Sequence, residues 1–166
     1  MKYTLALLVV DRPTVLSHIS GLISRRGYNI KSIAAGATES PNVTRITLVV
    51  DCEEGGLDQV MKQLSKLVDV IKVVNLTDNR SITREMALIK VKAISEKRTE
   101  IVNIVSIFRA RIVDLNKETM VIELTGEIEK IDALCEVLQE HGIVEIVRTG
   151  EISLSREPEP ASELEG

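Results

Sequence analysis

The feature that most restricts what this chain can fold into is an internal repeat. Shifted by 82 positions, apolar residues of the first half land on apolar residues of the second: Leu7 on Ile89, Val9 on Val91, Ile19 on Ile101, Leu22 on Ile104, Ile23 on Val105 and Ile30 on Ile112. Beyond a hairpin the shift reads as 74, with Ile46 on Met120, Leu48 on Ile122, Val50 on Leu124, Leu64 on Leu138 and Val73 on Val147. One change of register accounts for these matches and makes the first hairpin eight residues longer. A shift held across helix and strand periods marks two copies of one folding unit.

Each copy reads as βαββαβ. Tyr3–Val10 is a short apolar run of the kind a buried strand requires. Asp11-Arg12-Pro13 breaks it, and Pro13 suits the first turn of a helix, where its missing N–H has no role. Val15, Leu16, Ile19, Leu22 and Ile23 follow at helical spacing, and Gly27 is placed to end that helix in the left-handed conformation. Ile30 and Ile33 open a second strand, and Gly36–Val43, containing Pro41-Asn42, reads as a hairpin connection. Ile46, Leu48 and Val50 alternate with Arg45, Thr47 and Val49 in a third strand. Gly55-Gly56 leads into a helix carrying Leu57, Val60, Met61, Leu64 and Leu67, and Val70–Val74 gives the fourth strand. The pattern predicts an α+β chain of two tandem βαββαβ domains, each an antiparallel sheet with helices on one face.

The first domain is expected over residues 1–78 and the second over 79–156, joined by a polar linker at Thr77–Thr83. Residues 157–166, with Pro158, Pro160 and several glutamates, form an acidic tail expected to be disordered. The open face and edge strands of each sheet need cover, and dimerisation is the expected means.

Composition narrows the function. The 166 residues carry a net charge of −4, and no basic stripe offers a surface for a nucleic-acid backbone. Tyr3, Tyr28 and Phe108 are the only aromatics, too few for a base-stacking platform. Cys52 and Cys135 form no CxxC pair and no cluster with His18 or His141, so no metal site is expected and the thiols read as buried and reduced. With no signal peptide and no apolar run of spanning length, the chain is expected in the cytoplasm.

This topology serves enzymes, metal carriers, RNA binders and ligand sensors alike. The third strand, Thr44–Val50, has no aromatic with which to stack RNA, and the first loop, Asp11–Thr14, has no thiol for a metal. A phosphate-cradling hydrolase loop would need several glycines, and only Arg12 fits. The pairs Asp11/His18 and Glu85/Lys90 lack a third orienting group, and His18 reads as a surface histidine. A ligand sensor remains. A helix start exposes N–H groups to a carboxylate, Asp11 suits an ammonium group, and the Asn29 amide both donates and accepts. In the second copy Asp11 falls on Ala93, Thr14 on Glu96, Gly27 on Arg109 and Asn29 on Arg111, so an amino-acid site belongs to the first unit alone.

Several stretches carry a resemblance: Asp11-Arg12-Pro13-Thr14-Val15-Leu16, Gly21-Leu22, Arg25-Arg26-Gly27-Tyr28-Asn29-Ile30, Lys66–Val73, Arg84–Val91, Ile107-Phe108-Arg109, Ile112-Val113-Asp114 and Arg148-Thr149-Gly150. Over residues 2–156 the chain resembles the small regulatory subunits of acetolactate synthase (acetohydroxyacid synthase). The resemblance implies an amino-terminal ACT domain and a ferredoxin-like carboxy-terminal domain, with homodimers formed edge to edge through the ACT sheets. It implies a non-catalytic chain that activates a large catalytic subunit and confers feedback inhibition by a branched-chain amino acid, usually valine, in valine, leucine and isoleucine biosynthesis. No cofactor is expected on this chain, since thiamine diphosphate, magnesium and FAD belong to the large subunit. The effector residues so implied are Asp11, Pro13, Thr14, Val15 and Leu16 of one chain with Asn29 and Ile30 of the other. Thr14 stands where the family usually has glycine, and Asp11 where asparagine is common, which bears on the effector's identity.

Overall fold

The computed structural model describes residues 1–77 and 81–157; linker residues 78–80 and tail residues 158–166 lie outside the described residues. The first half folds as β1 (Lys2–Val10), α1 (Val15–Arg25), β2 (Asn29–Ala37), β3 (Val43–Asp51), α2 (Gly56–Leu64) and β4 (Val70–Asn75). The second follows with β5 (Ser81–Lys92), a short 3-10 turn at Ser95–Lys97, α3 (Arg98–Ile107), β6 (Arg111–Leu115), β7 (Thr119–Gly126), α4 (Ile128–Gln139) and β8 (Ile143–Arg148). Both sheets are antiparallel, in the orders β2-β3-β1-β4 and β6-β7-β5-β8. A further strand, β9 (Ile152–Ser155), was not expected. By contacts the chain divides into Met1–Ile82 with the segment from Glu151, and Thr83–Gly150. The C-terminal segment therefore groups with the first unit and not, as expected, with the second. Among the described residues no helix is long and apolar enough to cross a membrane.

Strand alternation builds both cores. In the first unit Leu5, Leu7 and Val9 of β1 interleave with Ile46, Leu48 and Val50 of β3, beneath Val15, Ile19, Leu22 and Ile23 of α1 and Val60 and Leu64 of α2. In the second, Ala87, Ile89 and Val91 lie beside Met120, Ile122 and Leu124, beneath Ile101 and Val105 of α3 and Ile131, Leu134 and Leu138 of α4. Buried Glu85 meets Arg148 at 3.6 Å, so its charge is not left bare.

Ladder registers correct the repeat. Leu7 pairs with Ile46, whereas Ile89 pairs with Ile122, so β3 maps onto β7 at a shift of 76 rather than 74. The change of shift from β1 to β3 is thus six residues, not eight. Side chains on a strand alternate with period 2, so a slip of two keeps every apolar residue on its face and leaves no trace in the apolar pattern. The helices do keep 74: Val60 corresponds to Leu134 and Leu64 to Leu138. The last strands map at 73, since Leu7 pairs with Val73 and Ile89 with Ile146. Irregularities repeat as well. The register breaks at Leu8/Val9 and Lys90/Val91, and again at Ile30/Ser32 and Ile112/Asp114.

Helix ends follow local chemistry. The first helical residue of α1 is Val15, with Thr14 as its N-cap, so Pro13 sits in the turn before the helix and not in its first turn. Gly27, at φ +75°, closes α1: its N–H donates to the Ser24 carbonyl at 3.0 Å and the Tyr28 N–H to the Ile23 carbonyl at 3.3 Å. The same pair of bonds closes α3, from Arg109 to Ser106 and from Ala110 to Val105, but Arg109 holds φ +54° with a side chain attached. A non-glycine residue there costs ~1–2 kcal/mol, and a glycine's extra freedom offsets part of that on replacement. In urea titrations Gly27→Ala should lower stability by about 1 kcal/mol and Arg109→Gly should raise it by about 0.5 kcal/mol. A loss on Arg109→Gly would mean that the arginine side chain contributes more than the strain costs.

Candidate functional site

The β1–α1 loop lies at one end of the first sheet. There Val10 pairs with Val43 and the chain turns through Asp11–Thr14, all exposed, before Val15 buries itself in the core. Two backbone bonds hold the loop: the Asp11 N–H donates to the Asn42 carbonyl at 2.8 Å and the Val10 N–H to the Asp69 carbonyl at 2.9 Å. Thr14 has φ −88° and ψ −12°, a conformation open to any residue, so threonine stands there without strain.

Thr14 makes no side-chain cap bond, and the first turn of α1 carries no acidic residue. The amides of Leu16 and Ser17, which a cap would have satisfied, are open at the positive end of the helix. Leu16, 47% exposed, lies beside them as an apolar surface. A carboxylate on these amides with an aliphatic side chain against Leu16 fits the chemistry of the spot.

Asn29 and Ile30 lie elsewhere. Asn29 pairs with Asp51, and Asp51 with Lys2, so they sit at the far end of the same sheet. Nine-residue strands separate the two groups by roughly 25 Å. Within one chain the candidate residues therefore fall into two separate groups. Beside Asn29, the Asp51 carboxyl is held below its ordinary range by a hydrogen bond from the Met1 ammonium at 3.1 Å, with Lys31 adding a 3.5 Å ion pair. β2 is an edge strand, so its outer hydrogen-bonding groups face outward.

Sequence reading missed the convergence of three residues at the loop. The Asp69 carboxylate takes Arg12 Nη1 on Oδ1 at 3.3 Å and lies 3.7 Å from His18 Nδ1 through Oδ2. His18 is the surface histidine expected, its side chain 56% exposed beside Asp69. No periodicity marks such a convergence, because it joins a loop, a helix and a turn that are far apart in sequence.

The second unit has filled the equivalent place. Arg98, the counterpart of Leu16, donates to the carbonyls of Ala93 (2.9 Å), Asn116 (2.9 Å) and Lys117 (2.7 Å). Glu96 and Glu100 bring negative charge to the start of α3, and Ala93, the counterpart of Asp11, is buried. The Arg98 side chain occupies the place that Leu16 leaves open in the first unit.

Comparison with known proteins covers both units. Residues 84–157 match a family described as the small subunit of acetolactate synthase, and residues 5–72 match an AHAS small subunit-like ACT domain. The acetolactate synthase small subunit of Mycolicibacterium smegmatis is 48% identical over 156 residues, covering 94% of this chain and 92% of that protein. Its namesake from Mycobacterium leprae is 49% identical over the same shares. The crystal structure of the acetolactate synthase small subunit from Thermotoga maritima aligns with a TM-score of 0.87 at 36% identity, covering 95% of this chain and 99% of that one.

Neither thiol offers a ready nucleophile. Burial pushes both Cys52 and Cys135 up, so little thiolate exists at neutral pH. The native protein should react with a disulfide reagent at least about tenfold more slowly than the unfolded chain. Equal rates would show that the thiols are open.

Proposed function

Since the chain belongs to the family of acetolactate synthase small subunits, its first unit an ACT domain, we propose that it binds the large catalytic subunit, raises its activity and makes it sensitive to a branched-chain amino acid. The chain itself is non-catalytic in this reading. Thiamine diphosphate, magnesium and FAD serve the large subunit, and the complex works in the cytoplasm on the route to valine, leucine and isoleucine.

The observation that carries the reading is the splitting of the effector residues into two half-sites. Asp11, Pro13, Thr14, Val15 and Leu16 stand at one end of the sheet, and Asn29 and Ile30 at the other. Antiparallel pairing of β2 with β2 of a second copy sets the start of one strand beside the end of its mate. The end of β2 lies at the same end of the sheet as the β1–α1 loop, since Ala37 pairs with Thr44 and Val10 with Val43. Such a homodimer holds two sites, each with one copy's helix start and the other's Asn29.

In each site the Leu16 and Ser17 amides take the effector's carboxylate, Asp11 takes its ammonium, and Asn29 of the other copy bonds to either. Leu16 and Ile30 line the place of an aliphatic side chain, for which valine is the fitting size. Inhibition then reflects an effector preference for one state of the complex, typically ~1–3 kcal/mol of coupling.

The test is reconstitution with the matching large subunit, measuring acetolactate formation against valine. Asn29→Ala should weaken inhibition at least about fivefold, the loss of one hydrogen bond to a charged group, and leave activation nearly intact. Loss of activation and inhibition in equal measure would make Asn29 a folding residue and remove the site.

A further inference from the structure

We infer that the ion pair between Arg12 and Asp69 positions the effector loop, with Asp69 acting as a positioning residue that touches no ligand itself. The inference rests on the effector site proposed above. Loop residues 11–14 are exposed and have no apolar anchor of their own. Asp69 meets the chain just before the loop and within it: its carbonyl accepts from the Val10 N–H at 2.9 Å, and its carboxylate holds Arg12 at 3.3 Å. The Asp69 side chain is only 14% exposed, while that of Arg12 is 64% exposed. The anchor is fixed in the fold and the loop is what it restrains.

The repeat supplies an internal control. Ladder register places Asp69 on Gly142, and the backbone bond survives there, from the Lys92 N–H to the Gly142 carbonyl at 2.9 Å. The fold therefore keeps its backbone tie without a carboxylate. The His18 arm also survives in altered form, since Glu100 stands in its place and lies 3.8 Å from His141 in the neighbouring turn. A histidine–carboxylate approach between helix and turn therefore recurs in both units and does not distinguish them. The Arg12 arm is not shared. Its counterpart is Ile94, so the pair is present in the unit that carries the effector residues and missing from the one that does not.

Holding the loop before the ligand arrives lowers the ordering cost of binding. The Arg12 charge also offsets that of Asp69, which would otherwise oppose a carboxylate at the start of α1. If Arg12 touched the ligand directly, removing Asp69 would free the guanidinium and leave binding unchanged or tighter. If Asp69 positions the loop through Arg12, removing either partner weakens binding alike.

The experiment is calorimetric titration of the full chain with valine, leucine and isoleucine, alongside urea unfolding without ligand. Arg12→Gln and Asp69→Asn should each weaken binding about three- to tenfold, and the double variant should be no weaker than the worse single one. The reversed pair, Arg12→Glu with Asp69→Lys, should recover most of the loss, and His18→Gln should stay within about twofold of the unaltered chain. Unligated stability should not track these changes. Undiminished binding by Arg12→Gln, additive losses, or no recovery in the reversed pair would overturn the inference while leaving the effector site in place. Failure of the unaltered chain to bind any of the three amino acids would overturn both. Should Asp69→Asn not fold, the exposed Arg12→Gln and the reversed pair decide the matter.

Discussion

Two helices packed on one face of a four-stranded sheet can bury only half of what the strands display, and each unit of this protein is shaped by what becomes of the other half. In the first unit the helix-free face carries Ala6, Thr47 and Val49, all buried. The segment from Glu151 reaches that face, where Arg45 donates to the Ser153 carbonyl and Thr4 to the Glu151 carboxylate. In the second unit the helix-free face remains open. Leu88 and Val147 are 40% and 55% exposed there, beside the ion pair of Lys90 with Glu145. With its helix-free face occupied, the first unit still presents the edge of β2 and the uncapped start of α1.

In the second unit the loop that matches the start of α1 is closed. Where the first unit has Leu16 and an open amide pair, the second has Arg98, its guanidinium bonded to three carbonyls. Core positions tolerate such divergence elsewhere because packing needs only apolar residues of suitable volume. The loop needs particular donors at particular places, so it is where the copies part company.

Element order, sheet type and the helix-facing core were legible in the sequence, because 3.6- and 2-residue periods state which face is buried. Register was not. A two-residue slip between β3 and β7 leaves the same faces apolar, and only the ladders distinguish a shift of 76 from 74. β9 was missed because Ile152-Ser153-Leu154-Ser155 is too short to announce a period, and its partners, β5 and Arg45, are distant in sequence. The proposed effector residues rest on resemblance, and the helix start is argued from chemistry alone. Their separation to opposite ends of one sheet could not be seen, since it depends on which strands pair. Asp69 was hidden for the same reason: it lies in a stretch quoted for resemblance, yet nothing in Lys66–Val73 says that its carboxylate folds back onto Arg12.

The central claim is that one copy of a duplicated unit senses an amino acid while the other has lost the means. Amide hydrogen exchange of the full chain with and without valine tests it most directly. Exchange should slow at Asp11–Ser17 and at Asn29–Ile30 and stay unchanged at the matching positions Ala93–Thr99 and Arg111–Ile112. Protection at the second unit's positions, or none at either end of the first sheet, would contradict the account.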